Sequence, residues 1–91
     1  MVKFTWDRAK AAANALKHRV RFDEAMRAFA DPLAVESFDA PHSALEDRWR
    51  KVGLSSRGQL IVVIYAEAGE KIRIISARVA TRGERSAYED G

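Results

Sequence analysis

Leu60-Ile61-Val62-Val63-Ile64-Tyr65 is the stretch that decides the fold. It is a continuous apolar run, rich in β-branched residues, with turn residues on both sides. That composition fits a strand buried on both faces, at the centre of a sheet. Before it, Ser55-Ser56-Arg57-Gly58 reads as a turn and Arg48 to Leu54 as a strand. After it, the strand runs to Glu67, Ala68-Gly69-Glu70 is a second turn, and Lys71 to Arg78 is the last strand. Links this short imply antiparallel pairing.

Further out the pattern changes. Leu33 to Phe38 reads as a short strand and Asp39-Ala40-Pro41-His42-Ser43 as a loop. Upstream, Asp7 is placed to cap a helix whose apolar stripe is Ala9, Ala12, Ala13 and Leu16, with Arg8, Lys10, Asn14 and Lys17 opposite. That helix should end near His18. Phe22, Ala25, Met26 and Phe29 form a second stripe, stopped at Asp31-Pro32 because proline pushes the preceding residue out of helical geometry. Lys3 to Trp6 alternates as a short edge strand would. Thr81 and Glu84 have capping-box spacing, which starts a last helix running to about Tyr88. The order β-α-α-β-β-β-β-α predicts one α+β domain over residues 1–91, an antiparallel sheet with two N-terminal helices and a short C-terminal helix.

Composition narrows the function. The 91 residues contain no cysteine, which excludes disulfides and thiolate metal sites. Met1-Val2-Lys3-Phe4 is not followed by an apolar signal segment, and the longest apolar run, Leu60 to Ala66, is too short to span a bilayer. A cytoplasmic protein without a membrane partner is expected. The net charge is +3, but it is unevenly spread. Residues 3–22 are basic apart from Asp7, residues 23–47 are acidic apart from Arg27, and residues 48–57 carry Arg48, Arg50, Lys51 and Arg57 with no acid. Most of the basic side chains are arginine, whose planar fork suits phosphate, so a polyanionic partner is indicated.

There is no glycine-rich phosphate loop, HExxH or nucleophile elbow. His42 and Glu46 stand four apart, but in a loop-like stretch, so neither a metal nor a cofactor is expected. What remains is a set of cations beside possible proton carriers. RNA can be cut by such a set: a base takes the 2′-hydroxyl proton, that oxygen attacks the neighbouring phosphorus, cations hold the extra charge, and an acid protonates the leaving 5′-oxygen. Lys17 and His18 close the first helix, and histidine is the side chain that ordinarily titrates near neutrality. His42, Glu46 and Arg48 cluster where the acidic loop enters a strand. Arg73 and Arg78 lie on the last strand. Strict alternation puts those two on opposite faces, so they share a site only if a bulge intervenes. Tyr65 and Tyr88 could stack on bases or donate a proton, and Trp6 and Trp49 could stack bases, with core packing the favoured reading for Tyr65 and the two tryptophans.

Taken together, Trp6-Asp7, Ala9-Lys10-Ala11, Asn14, Lys17-His18-Arg19-Val20, Phe22, Glu24-Ala25 and Asp31-Pro32 resemble the opening of BrnT-type toxins. His42-Ser43, Glu46, Arg48, Gly53-Leu54-Ser55 and Gly58 continue the likeness. Arg73-Ile74-Ile75-Ser76-Ala77-Arg78, Ala80-Thr81, Glu84-Arg85 and Tyr88 complete it in one collinear order. The resemblance implies a RelE-like fold and a bacterial type II toxin that is a metal-independent endoribonuclease and inhibits translation. It implies a BrnA-type ribbon-helix-helix antitoxin as partner, RNA as substrate, and operator DNA bound through the antitoxin complex. It carries catalytic roles to His18, His42, Glu46, Arg48, Arg73 and Arg78, and RNA-binding roles to Lys17, Arg85 and Tyr88. The chain departs from the family pattern at Arg19, where glycine is usual, and at Arg21, where serine or threonine is common. Arg19 must therefore adopt a left-handed helix end at a cost or avoid it. The alternative is a non-catalytic nucleic-acid-binding or regulatory module on the same fold.

Overall fold

A computed structural model describes residues 2–91. The strands are β1 (Lys3–Thr5), β2 (Val35–Phe38), β3 (Trp49–Leu54), β4 (Leu60–Ala68) and β5 (Lys71–Val79). The α-helices are α1 (Arg8–His18), α2 (Phe22–Ala25) and α3 (Arg82–Asp90). The five strands form one sheet in the order β1-β5-β4-β3-β2. The Leu60–Tyr65 run is central, as its composition requires: Ile61, Val62 and Val63 are at most 1% exposed.

From β2 to β5 the neighbours are antiparallel, but β1 runs parallel to β5, with Phe4 opposite Ile72. The sheet is therefore mixed, not wholly antiparallel. A hairpin link forces its strands antiparallel, whereas β1 and β5 lie at opposite ends of the chain and no short link sets their relative direction. Two hairpin turns contain glycines with positive φ, Gly58 and Gly69, a conformation other residues adopt only with strain.

The faces of the sheet bury different clusters. On one, Ile61, Val63, Ile74 and Ala77 pack with Val20, Phe22, Ala25 and Ala28, and Phe4, Trp6 and Phe29 close over them. On the other, Val52, Leu60 and Val62 are joined by Ile64 of β4, by Ala80 and by Tyr88 of α3. Trp6 meets Phe22 edge-on, and Tyr65, 4% exposed, meets Phe29 the same way, so both are core aromatics.

Three local expectations are corrected. First, α1 does not bury Ala9, Ala12, Ala13 and Leu16; Leu16 is 86% exposed, and the buried residue of this helix is Asn14. Its carboxamide donates to the carbonyls of Val20 (2.9 Å) and Ala77 (2.8 Å) and accepts from the Ala77 N–H (3.1 Å). β1 pairs with β5 only as far as Arg73, so Asn14 acts as a peptide-like partner to the open edge beyond it. Second, the second helix is one α-turn that tightens into a 3-10 helix at Met26–Ala30 before Asp31 turns extended. Third, β2 starts at Val35 because Asp31 engages the preceding residues, its carboxylate accepting from the Leu33 N–H and its carbonyl from the Ala34 N–H.

The helix ends follow their caps. Asp7 accepts from the Lys10 N–H, and Thr81 and Glu84 form a reciprocal box at the start of α3. Arg19 takes the left-handed conformation, φ 58° and ψ 30°, and is the one described non-glycine residue with positive φ. At the next helix start, the Glu24 carboxylate accepts from the Arg21 N–H at 2.8 Å, which keeps half of a capping box without a hydroxyl partner.

Candidate active site

The residues of interest converge on the sheet face that also carries α3. The β4–β5 register decides this. Ile64 pairs with Ser76 and Tyr65 with Ile74, so Ile75 is an extra residue in β5. Because of that bulge, Arg73 opposes Ala66 and Arg78 opposes Val62. Ala66 and Val62 lie an even number of residues apart on β4, so Arg73 and Arg78 share one face. Without the bulge they would point to opposite sides.

On this face a cavity of about 310 Å³ is lined by His18, Asp39, His42, Arg48, Arg50, Ser76 and Arg78, over a floor of Ile64 and Ile75. The segments that build it come from distant parts of the chain. α1 lies against the open edge of β5 through Asn14, so His18, one turn later, reaches the cavity from that edge. His42 sits in a short 3-10 turn, Ala40–His42, that a network holds closed. The Ser43 hydroxyl donates to the Asp39 carbonyl (2.6 Å) and accepts from the Arg48 N–H (2.9 Å), while the Asp39 N–H donates to the Arg48 carbonyl (2.9 Å).

Asp39 is a site residue that sequence reading missed. It is 4% exposed, and its carboxylate oxygens lie 3.1 and 3.0 Å from His42 Nδ1. A carboxylate only accepts, so Nδ1 carries the proton and Nε2 is left available. The pair follows an Asp-x-x-His spacing, a weak signal in a loop. Arg50 and Ser76 were also missed; alternation along β3 and β5 places them in the row with Ile64.

The cations are held by two carboxylates. Glu46 pairs with Arg73 and lies 3.6 Å from Arg48 Nε, a buried donor that makes no hydrogen bond. Glu84 takes both ends of the Arg78 fork at 2.8 Å and reaches Arg50 at 4.0 Å. The Arg78 fork, helped by the Thr81 cap and opposed by partial burial, holds the Glu84 carboxyl down at about 2. The same bonds raise Arg78 above its ordinary value.

The expected residues thus divide. His18, His42, Arg48 and Arg78 line one cavity, and Glu46 with Arg73 joins it through Arg48. Lys17 is an exposed neighbour of His18 and does not line it. Arg85 and Tyr88 line a different, larger groove. The Tyr88 hydroxyl donates to Asp31 at 2.8 Å, which raises the phenol. Burial pushes Asp31 up, but the N–H groups of Leu54 and Leu33 and the Tyr88 hydroxyl outweigh it and hold this carboxyl below its ordinary value. Tyr65 is removed from proton chemistry, because burial and its bond to Glu36 push the phenol up. Among the described residues, no helix is long and apolar enough to cross a membrane, and no three His, Asp or Glu side chains form a metal-holding group.

The family model described as the ribonuclease toxin BrnT of type II toxin–antitoxin systems matches residues 6–84. The chain belongs to the BrnT family. Among solved structures, the crystal structure of the Brucella abortus ribonuclease toxin BrnT superposes with a TM-score of 0.70 at 28% sequence identity, covering 90% of this chain and all of that one. Comparison with curated proteins returned no match. BrnT membership agrees with the mixed α+β fold and accounts for the collinear motifs as far as Glu84. The BrnT match reaches as far as Glu84, so it includes every residue that lines the cavity.

Proposed function

We propose that this BrnT-family chain is a single-domain, metal-independent endoribonuclease toxin with a RelE-like arrangement. It acts in the cytoplasm, inhibits translation, and is neutralised by a BrnA-type ribbon-helix-helix antitoxin whose complex binds operator DNA. The observation that carries the catalytic reading is the cavity that brings His18, His42, Arg48 and Arg78 together, with Asp39 fixing the ring of His42.

In this reading the two histidines are the proton carriers. One removes the 2′-hydroxyl proton, the 2′-oxygen forms a bond to the adjacent phosphorus, the bond to the 5′-oxygen breaks, and the other histidine protonates that leaving oxygen. The products are a 2′,3′-cyclic phosphate end and a 5′-hydroxyl end. Arg48, Arg73 and Arg78 hold the charge that builds on the phosphoryl oxygens. Glu46 and Glu84 keep these forks aligned until a phosphate competes for them. Lys17, outside the cavity, serves the approaching strand.

The test is growth after induced expression of the wild type beside His42→Ala, Arg73→Ala and Arg78→Ala, with cellular RNA inspected in each. Growth arrest with cyclic-phosphate-ended fragments, relieved by the substitutions, is expected. Intact RNA and normal growth with a well-expressed wild type would leave a binding module without catalysis.

A further inference from the structure

A second cavity lies outside the active site. It is an open groove of about 920 Å³ whose walls include Arg19, Arg57, Gln59, Arg85, Tyr88 and Glu89. Its three arginines come from separate elements: the end of α1, the β3–β4 turn, and α3. In the active site Arg48, Arg73 and Arg78 each meet a carboxylate. Among the described residues, the side chains of Arg19, Arg57 and Arg85 have no ion-pair or hydrogen-bond partner. With Glu89 counted against them, the groove carries a local charge of about +2 (three arginines less one carboxylate).

Arg19 adds an independent observation. It is the residue held at φ 58°, where glycine would be free of strain. A left-handed arginine at a helix end is a local cost to the fold, and here it stands among the lining residues of the groove. Its neighbour His18 lines the active cavity, so the end of α1 borders both.

We infer that the groove walled by Arg19, Arg57 and Arg85 is a second RNA-binding site, holding phosphates of the single strand next to the step being cut. This rests on the ribonuclease reading and extends it. Arg19 follows His18 directly in the chain, so the groove borders the active cavity at the end of α1, and this nearness favours phosphates of the same RNA strand over an acidic protein segment. Tyr88 offers a ring beside the arginines, the combination on which single strands stack and are held.

The experiment uses a 2′-O-methyl RNA 12-mer, which the enzyme cannot cut because the attacking oxygen is blocked. Its affinity is measured by fluorescence anisotropy across a salt series, for the full chain and for an Arg19→Gly/Arg57→Gln/Arg85→Gln variant. Three lost phosphate contacts should flatten the slope of log affinity against log salt by about two and weaken binding about tenfold at ~0.1 M salt. Arg19→Gly alone should melt about 3–5 °C higher, from relief of strain, yet bind RNA less tightly. A residue with only a structural role would not move these in opposite directions.

Cleavage of unmodified RNA by the wild type is followed in parallel. Unchanged slope and affinity in the triple variant, with a wild type that cleaves, would overturn the groove and leave the ribonuclease reading standing. A wild type that neither binds the 12-mer nor cleaves would remove both. A triple variant that keeps RNA but loses poly-glutamate would also overturn the proposal, by assigning the groove to an acidic protein.

Discussion

Removing the Asn14 carboxamide should unfasten α1 from the sheet. The residue is 7% exposed and makes three hydrogen bonds, one to the Val20 carbonyl and two to the Ala77 backbone. In Asn14→Ala the Ala77 N–H and two carbonyls lose their partner at a sheet edge that β1 no longer covers. At about 1 kcal/mol net per bond the loss is about 3 kcal/mol, a large part of the 5–15 kcal/mol available to a small domain. Urea unfolding is the assay. With a slope of about 1–1.5 kcal/mol/M, the midpoint should fall by about 2–3 M. Asn14→Asp sharpens the test. Its carboxylate still accepts from Ala77 but faces two carbonyl oxygens it cannot donate to, so its deficit should shrink in acid, where the protonated carboxyl regains a donor. A midpoint for Asn14→Ala within about 0.5 M of wild type would refute the view that this side chain substitutes for a strand.

The Glu84 carboxyl, held at about 2 against an ordinary 4.5, contributes stability that is present above pH 4.5 and lost as pH falls towards 2. Allowing for screening, this is about 1–2 kcal/mol, and urea midpoints of wild type and Glu84→Gln should converge near pH 2. Asp39→Asn should lower RNA cleavage about 100-fold through loss of the defined His42 tautomer, with the fold intact by circular dichroism; an unchanged rate would remove His42 from proton transfer. Gly53→Ala should cost about 1–3 kcal/mol in thermal or urea unfolding, because overpacking is destabilising. The added Cβ would stand 3.2 Å from both the Ala28 carbonyl oxygen and the Ala34 Cβ.

The strands were legible because each carries its own local signal. β3, β4 and β5 begin and end within one residue of the limits that alternation and turn residues set. The α3 cap and the stop at Asp31 were legible for the same reason: a hydroxyl, a carboxylate or a proline acts within a few residues of its own position. The orientation of α1 was not. Its alanines give a weak apolar asymmetry, and what turns the helix is a polar side chain whose partners lie 63 residues away at Ala77.

The candidate site divides along the same line. By itself the sequence determined the α+β class, the central strand, the histidines and arginines available for chemistry, and the family motifs that carry them. These are properties of residue type and near-neighbour spacing, which local sterics and burial patterns express. Tertiary structure alone decided that Ile75 bulges and brings Arg73 and Arg78 to one face. It also decided that Asp39 is buried against His42, that β1 runs parallel to β5, and that Arg85 and Tyr88 face a separate groove. Each of these depends on which strand edge, ring or carboxylate arrives from a distant part of the chain, and that is settled only when the whole sheet and its helices pack together.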